Sequence, residues 1–132
     1  MNNNEKNPNK NMGNKQLILI PKIEDYIEYS LNILLKLPRT EKFSIGSEYK
    51  KIIYTILENI LLINKLYKKE NTKEILKLLN EIDAKLNTNR ILLRIMKKQR
   101  WIGENKFDIC INKIYEIGKI VGGLVKYYAK IY

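Results

Sequence analysis

Between Ala84 and Gly103 the chain carries Lys85, Arg90, Arg94, Lys97, Lys98 and Arg100, and not one Asp or Glu. Three of its four arginines, at 90, 94 and 100, fall in this run. A run of one sign repels itself, and either salt or a polyanion relieves that repulsion. The planar guanidinium fork matches two phosphate oxygens at once, whereas an ammonium is a point charge. The chemistry open to these residues is recognition of phosphate rather than bond making. The residue pattern alone leaves a second reading open, a basic face that is merely solvated.

Other chemistries are closed by composition. The chain has no His and a single cysteine, Cys110. Imidazole acid–base catalysis, Ser-His and Cys-His nucleophiles and the usual zinc ligand sets are thereby excluded, as is a disulfide within the chain. No Glu-x-x-His pair is available to hold iron in a helical bundle. Gly118 and Gly122 follow no strand, and their spacing is not that of a phosphate loop. We expect no catalytic residue, no metal and no cofactor, and Cys110 reads as a small core residue. No apolar run approaches the roughly 18 residues of a membrane span, and no signal-peptide core opens the chain. The expectation is a cytoplasmic protein without a membrane partner. A formal net charge of +11 over 132 residues adds that a polyanionic partner would be attracted from a distance.

The basic run needs a helix to present it. At 100° per residue, a helix from Leu86 to Lys98 gathers Lys97, Arg90, Arg94 and Lys98 into a sector about 100° wide, opposite Ile91, Leu92, Leu93, Ile95 and Met96. Residues 1–16 contain seven Asn and read as a disordered tail, with one domain over 17–132. The helical pattern begins at Pro21, with Ile23, Tyr26, Ile27, Ser30, Ile33, Leu34 and Leu37 on one face and acids Glu24, Asp25 and Glu28 in the first turns; Pro38 ends it. A second helix starts near Ser44 or Ser47, runs to Lys69, and buries Tyr49, Ile52, Ile53, Ile56, Ile60, Ile63 and Tyr67. Asn71 and Glu74 suggest a capping box for the third, whose stripe is Leu79, Ile82, Leu86, Leu93 and Met96. Asn87-Thr88-Asn89 are weak helix formers that could mark a bend. Beyond a break at Gly103, Asn105 and Asp108 cap a fourth helix with Phe107, Cys110, Ile111, Ile114, Ile117, Val121, Leu124, Val125 and Tyr128 inward. Four amphipathic helices with short connections predict an all-α, antiparallel up-down four-helix bundle.

Two helices carry apolar residues that this core does not need. Tyr54, Leu61 and Leu62 lie off the inner face of the second helix, and Ile109, Ile120, Tyr127 and Ile131 form a second stripe on the fourth. Such a surplus is either scattered and exposed, which is common, or covered by copies of the same chain, and its recurrence on two helices favours association. Gly118 and Gly122 sit four apart on one side, each costing about 1 kcal/mol against Ala in a helix. Close approach of a neighbouring helix would offset that cost.

Several segments carry a family resemblance. Leu37-Pro38-Arg39 and Phe43-Ser44-Ile45-Gly46 precede a long helix; Arg90-Ile-Leu-Leu-Arg94-Ile follows, then Tyr115-Glu116-Ile117-Gly118-Lys119-Ile120-Val121-Gly122-Gly123. Together, over about residues 20–128, they resemble the accessory variability determinant (Avd) proteins of diversity-generating retroelements. The Glu-Ile-Gly-x-x-x-Gly-Gly segment is the most specific part. The resemblance implies a four-helix bundle assembled into a barrel-shaped homopentamer with a basic surface and no catalytic activity. It also implies two partners, the retroelement's reverse transcriptase and nucleic acid, template RNA or cDNA, in a complex that diversifies a target gene. The family's basic helix positions correspond to Arg90 and Arg94, with Lys97, Lys98 and Arg100 nearby. The four-helix bundle proteins encoded in intervening sequences of large-subunit ribosomal RNA share much of the pattern, and imply instead a structural homo-oligomer with no polymerase partner.

Overall fold

In the computed structural model the described residues are 8–66 and 69–131, with side chains described over 18–66 and 70–130. Four long helices are joined by short connections: α1 (Pro8–Leu35), α3 (Ile45–Lys65), α4 (Thr72–Lys98) and α5 (Glu104–Ile131), with a single turn, α2 (Arg39–Lys42), between the first two. A 3₁₀ turn, Lys69–Asn71, leads into α4. Each of α1 and α4 packs on both α3 and α5, so consecutive long helices are neighbours and α1 lies diagonally across the bundle from α4. Connections this short force antiparallel neighbours. The result is the expected all-helical four-helix bundle.

The core follows the 3.6-residue period. Ile53, Ile56, Ile60 and Ile63 of α3, Ile75, Leu79, Ile82 and Leu86 of α4, Ile23 and Tyr26 of α1, and Ile114, Ile117, Val121 and Leu124 of α5 are all buried in one continuous cluster. Tyr67, expected on the inner face of α3, lies outside the described residues. Exposed ion pairs set the α1–α5 register: Lys22 Nζ stands 3.0 Å from Glu116 Oε2, and Lys113 donates to Asp25. Pairs this open to solvent add little stability.

Helix starts and stops differ from the sequence reading where tertiary contacts outweigh local propensity. Pro21 lies inside α1, which begins at Pro8 rather than at Pro21. The proline removes the N–H that would bond the carbonyl of residue 17, but Leu19 and Ile23 on either side are both buried, and that packing holds the helix through the gap. Residues 1–7 of the expected tail lie outside the described residues. The Asn71 side chain makes no capping bond; its Nδ2 donates 2.9 Å to the Leu66 carbonyl and closes the preceding connection instead. Asn105 and Asp108 fall within the first turns of α5 rather than capping it, since the Phe107 N–H already bonds the Gly103 carbonyl. Nor does Gly103 terminate α4. Its end is a six-to-one motif in which Trp101 N–H bonds the Met96 carbonyl and Arg100 N–H the Lys97 carbonyl, with Arg100 itself in the left-handed region at φ 65°.

Asn87-Thr88-Asn89 make no break in α4. Asn89 is fully buried, and its Nδ2 donates to Tyr26 Oη at 2.9 Å across the bundle diagonal. Tyr26 Oη shares a hydrogen bond with Tyr49 Oη at 2.7 Å, which also lies 3.3 Å from Ser30 Oγ and 3.6 Å from Cys110 Sγ. One polar cluster thus draws a side chain from every long helix. Burial pushes the Tyr26 and Tyr49 phenols well above their ordinary pKa and raises the Cys110 thiol in the same way. Cys110 is an inert core group, as its place on the apolar face suggested.

Candidate nucleic-acid interface

Helix α4 rests on a narrow stripe, Ile82, Leu86, Asn89, Leu93 and Met96, all buried. Residues about half a turn away must face solvent. Arg94, Lys98 and Arg100 are exposed, and Arg90 and Lys97 are half-buried. Ile91 and Ile95, expected on the packed side, are instead 46% and 40% exposed. Because the seam is too narrow to reach them, they interleave the cations.

Lys97 differs from the others. Its Nζ lies 3.5 Å from Glu104 Oε1 and 4.5 Å from the centre of the Phe107 ring. It is committed to the α4–α5 junction. Among the described residues no carboxylate pairs with Arg90, Arg94, Lys98 or Arg100. These four groups carry the free positive charge of the ridge.

Topology enlarges the surface beyond the sequence reading. The end of α1, the α2 turn, the end of α4 and the start of α5 share one end of the bundle. Lys36, Arg39 and Lys42, over fifty residues from Arg94 along the chain, thereby join Lys98, Arg100 and Lys106. Phe43, 80% exposed, and the half-buried Trp101 add aromatic surface there. The acids of this end are Glu41, which accepts a 2.8 Å hydrogen bond from Ser44 Oγ, Glu48, which pairs with Lys51 at 3.5 Å, Glu104 and Asp108. The only sequence hint of this convergence was a connection unusually rich in Arg, Lys and Phe. The exposed acids Glu24 and Glu28 lie on α1, at the diagonal corner.

The apolar residues expected at an oligomer interface divide into two groups. Tyr54, Leu61, Leu62 and Ile109 are exposed large side chains, and Gly122 is exposed. Ile120 and Tyr127 pack in part against the core, with the Tyr127 ring edge-on to Tyr128 at 5.1 Å. They are therefore not a free stripe: the antiparallel register set by Lys22–Glu116 carries the early part of α1 alongside α5 beyond Glu116. The side chain of Ile131 lies outside those described. Among the described residues a Cβ added at Gly118 or Gly122 meets nothing within 4 Å in the protomer, so none of them packs directly on either glycine. Among the described residues no group of His, Cys, Asp and Glu could hold a metal, and no helix is long and apolar enough to cross a membrane.

The same bundle occurs in a protein of unknown function from the S23 ribosomal protein family of Bacteroides thetaiotaomicron. It superimposes with a TM-score of 0.74 at 17% identity, covering 85% of this chain and 98% of that one. Identity that low establishes likeness of fold alone. No curated protein matches the chain. The sequence pattern is more discriminating than the backbone. The model of the bAvd-like family matches residues 17–128, a span that takes in the basic end of α4, the α2 turn and the glycines of α5, and the chain belongs to the bAvd-like family.

Proposed function

We propose that this protein is a non-catalytic accessory subunit of a diversity-generating retroelement. It assembles with copies of itself, as a pentamer, and holds nucleic acid, template RNA or cDNA, on the basic end of the bundle. The reverse transcriptase is its protein partner, and the assembly supports mutagenic retrohoming. The observation that carries the nucleic-acid reading is the convergence of Arg94, Lys98 and Arg100 with Lys36, Arg39, Lys42 and Lys106 on one end. Family membership supports the polymerase partner, and the exposed Tyr54, Leu61 and Leu62 support self-association.

The test compares charge reversal at two places on α4. Each phosphate neutralised contributes a slope of about −0.7 to −0.9 in log K against log salt, so four unpaired ridge cations correspond to a slope of roughly −3 to −4 per chain. Arg90→Glu with Arg94→Glu should weaken binding to every sequence and flatten that slope by roughly half. Lys73→Glu with Lys77→Glu, exposed at the far end of the helix, changes net charge equally and should do much less. Equal losses would mean bulk electrostatics alone. An assembled protein with no nucleic-acid affinity would favour the structural homo-oligomer of the ribosomal intervening-sequence type.

A further inference from the structure

A cleft of about 400 Å³ opens beside the basic end, lined by Ile33, Lys36, Trp101, Ile102, Gly103, Asn105 and Lys106. No carboxylate lines it. Trp101 is half-buried, packing partly against the core and partly on the cleft. Its neighbour Arg100 is exposed at the end of the ridge. Lys36 and Lys106 both line the cleft, and the neighbouring Lys36 lowers the pKa of Lys106. Two ammonium groups lining one cleft without an acid repel each other, and an anion between them relieves that repulsion. The space exceeds what an inorganic anion needs and falls in the range of small-ligand sites. An indole and two ammonium groups on one cleft match the two parts of a nucleotide, a π-faced base and a phosphate. The first amides of α5, from Glu104 on, add a weak preference for negative charge on the same side.

We propose that this cleft is a subsite for one nucleotide unit, its base against the Trp101 indole and its phosphate between Lys36 and Lys106. The unit is an unpaired residue of a strand lying on the α4 ridge, because Arg100 and Trp101 are consecutive. That source rests on the nucleic-acid reading above; the nucleotide chemistry does not. A base inside a duplex is stacked on both faces and cannot enter, so the cleft selects single strands or ends.

Trp101 is the sole tryptophan of the chain, and its fluorescence reports the cleft directly. The full-length protein is titrated with adenosine monophosphate, with inorganic phosphate, with a single-stranded oligonucleotide and with a duplex of the same sequence. Stacking should quench Trp101 with the mononucleotide and the single strand, and not with phosphate or duplex. The double variant Lys36→Glu/Lys106→Glu should weaken both quenching titrations by about tenfold or more; duplex binding read by anisotropy also falls, because both lysines belong to the basic end, but by several-fold less than single-strand binding. Circular dichroism checks that this surface variant is folded, and Lys36→Gln/Lys106→Gln repeats the test without reversed charge. Quenching by mononucleotide alone, with strand binding unaffected by the variants, would assign the cleft to free nucleotides. If the strand fails to bind the ridge but the mononucleotide still quenches, the ridge reading falls and the cleft stands. Absence of quenching by either, or quenching that survives both variants, overturns the proposal.

Discussion

Asn89→Leu should make the protein more stable, although it removes a hydrogen bond. Asn89 is fully buried; its Nδ2 donates to Tyr26 Oη at 2.9 Å, but its Oδ1 has no partner. An unsatisfied buried acceptor costs about 1–3 kcal/mol, and removing it recovers that amount. The lost bond costs about 0.5–1.5 kcal/mol, softened because Tyr26 Oη keeps Tyr49 Oη at 2.7 Å. Leu is also the better helix former, by a few tenths of a kcal/mol, in the middle of α4. The sum is a gain of about 1 kcal/mol, corresponding to a Tm rise of roughly 3–5 °C for a chain of this length. Asn89→Ala loses the same bond and opens a cavity, and should be less stable than the parent by about 1–2 kcal/mol. Urea unfolding followed by circular dichroism at one fixed protein concentration measures both, since association would otherwise shift the midpoint. A Leu variant destabilised by more than about 1 kcal/mol would refute the argument, because Oδ1 would then be satisfied in solution. The bond across the diagonal ties α4 directly to α1.

Alkaline pH should weaken the fold through the same cluster. Burial holds the Tyr26 and Tyr49 phenols protonated above their ordinary value of 10.0 and the Cys110 thiol above 9.0, so the unfolded chain releases these protons first. Their contribution is therefore fully present below pH 9 and falls as pH rises through 9 and then 10, by up to about 1.4 kcal/mol per pH unit for each group. Absorbance at 295 nm should show Tyr26 and Tyr49 ionising only on unfolding. Arg100→Gly should stabilise α4 by about 1 kcal/mol, because Arg100 occupies a left-handed conformation at φ 65°, while nucleic-acid affinity falls; lower stability would mean that the side chain is held by contacts of its own. Tyr54→Glu with Leu61→Glu should dissociate the assembly in light scattering without loss of helical circular dichroism, and a parent protein already monomeric at micromolar concentration would sink the association reading. Gly118→Ala should stabilise that dissociated variant by about 1 kcal/mol, since the added Cβ meets nothing within 4 Å among the described residues; in the assembled protein it should be neutral or unfavourable if a neighbouring chain lies against it.

The bundle itself was legible in the sequence because burial in a helix repeats at a short local period. Ile53, Ile56, Ile60 and Ile63, or Cys110, Ile114, Ile117, Val121 and Leu124, can be identified as inward without knowing what they touch, and each is buried. The ridge at Arg90, Arg94 and Lys98 was legible for the same reason, as charges left over from that period. Helix boundaries were less legible, since they depend on competition between local cost and distant packing. Pro21 costs α1 a hydrogen bond, and only the burial of Leu19 and Ile23 against other helices settles that competition. Asn89 illustrates the same limit: as a residue type it is a poor helix former, and only the bundle places Tyr26 opposite it. The exposure of Ile91 and Ile95 was decided by where the neighbouring helices lie, because a helix wheel gives directions but not the width of the covered seam. The joining of Lys36, Arg39 and Lys42 to Arg100 and Lys106 belongs wholly to the tertiary structure. Chain separation carries no information about which ends of antiparallel helices meet, and only the folded topology brings those charges, and Trp101 between them, to one surface.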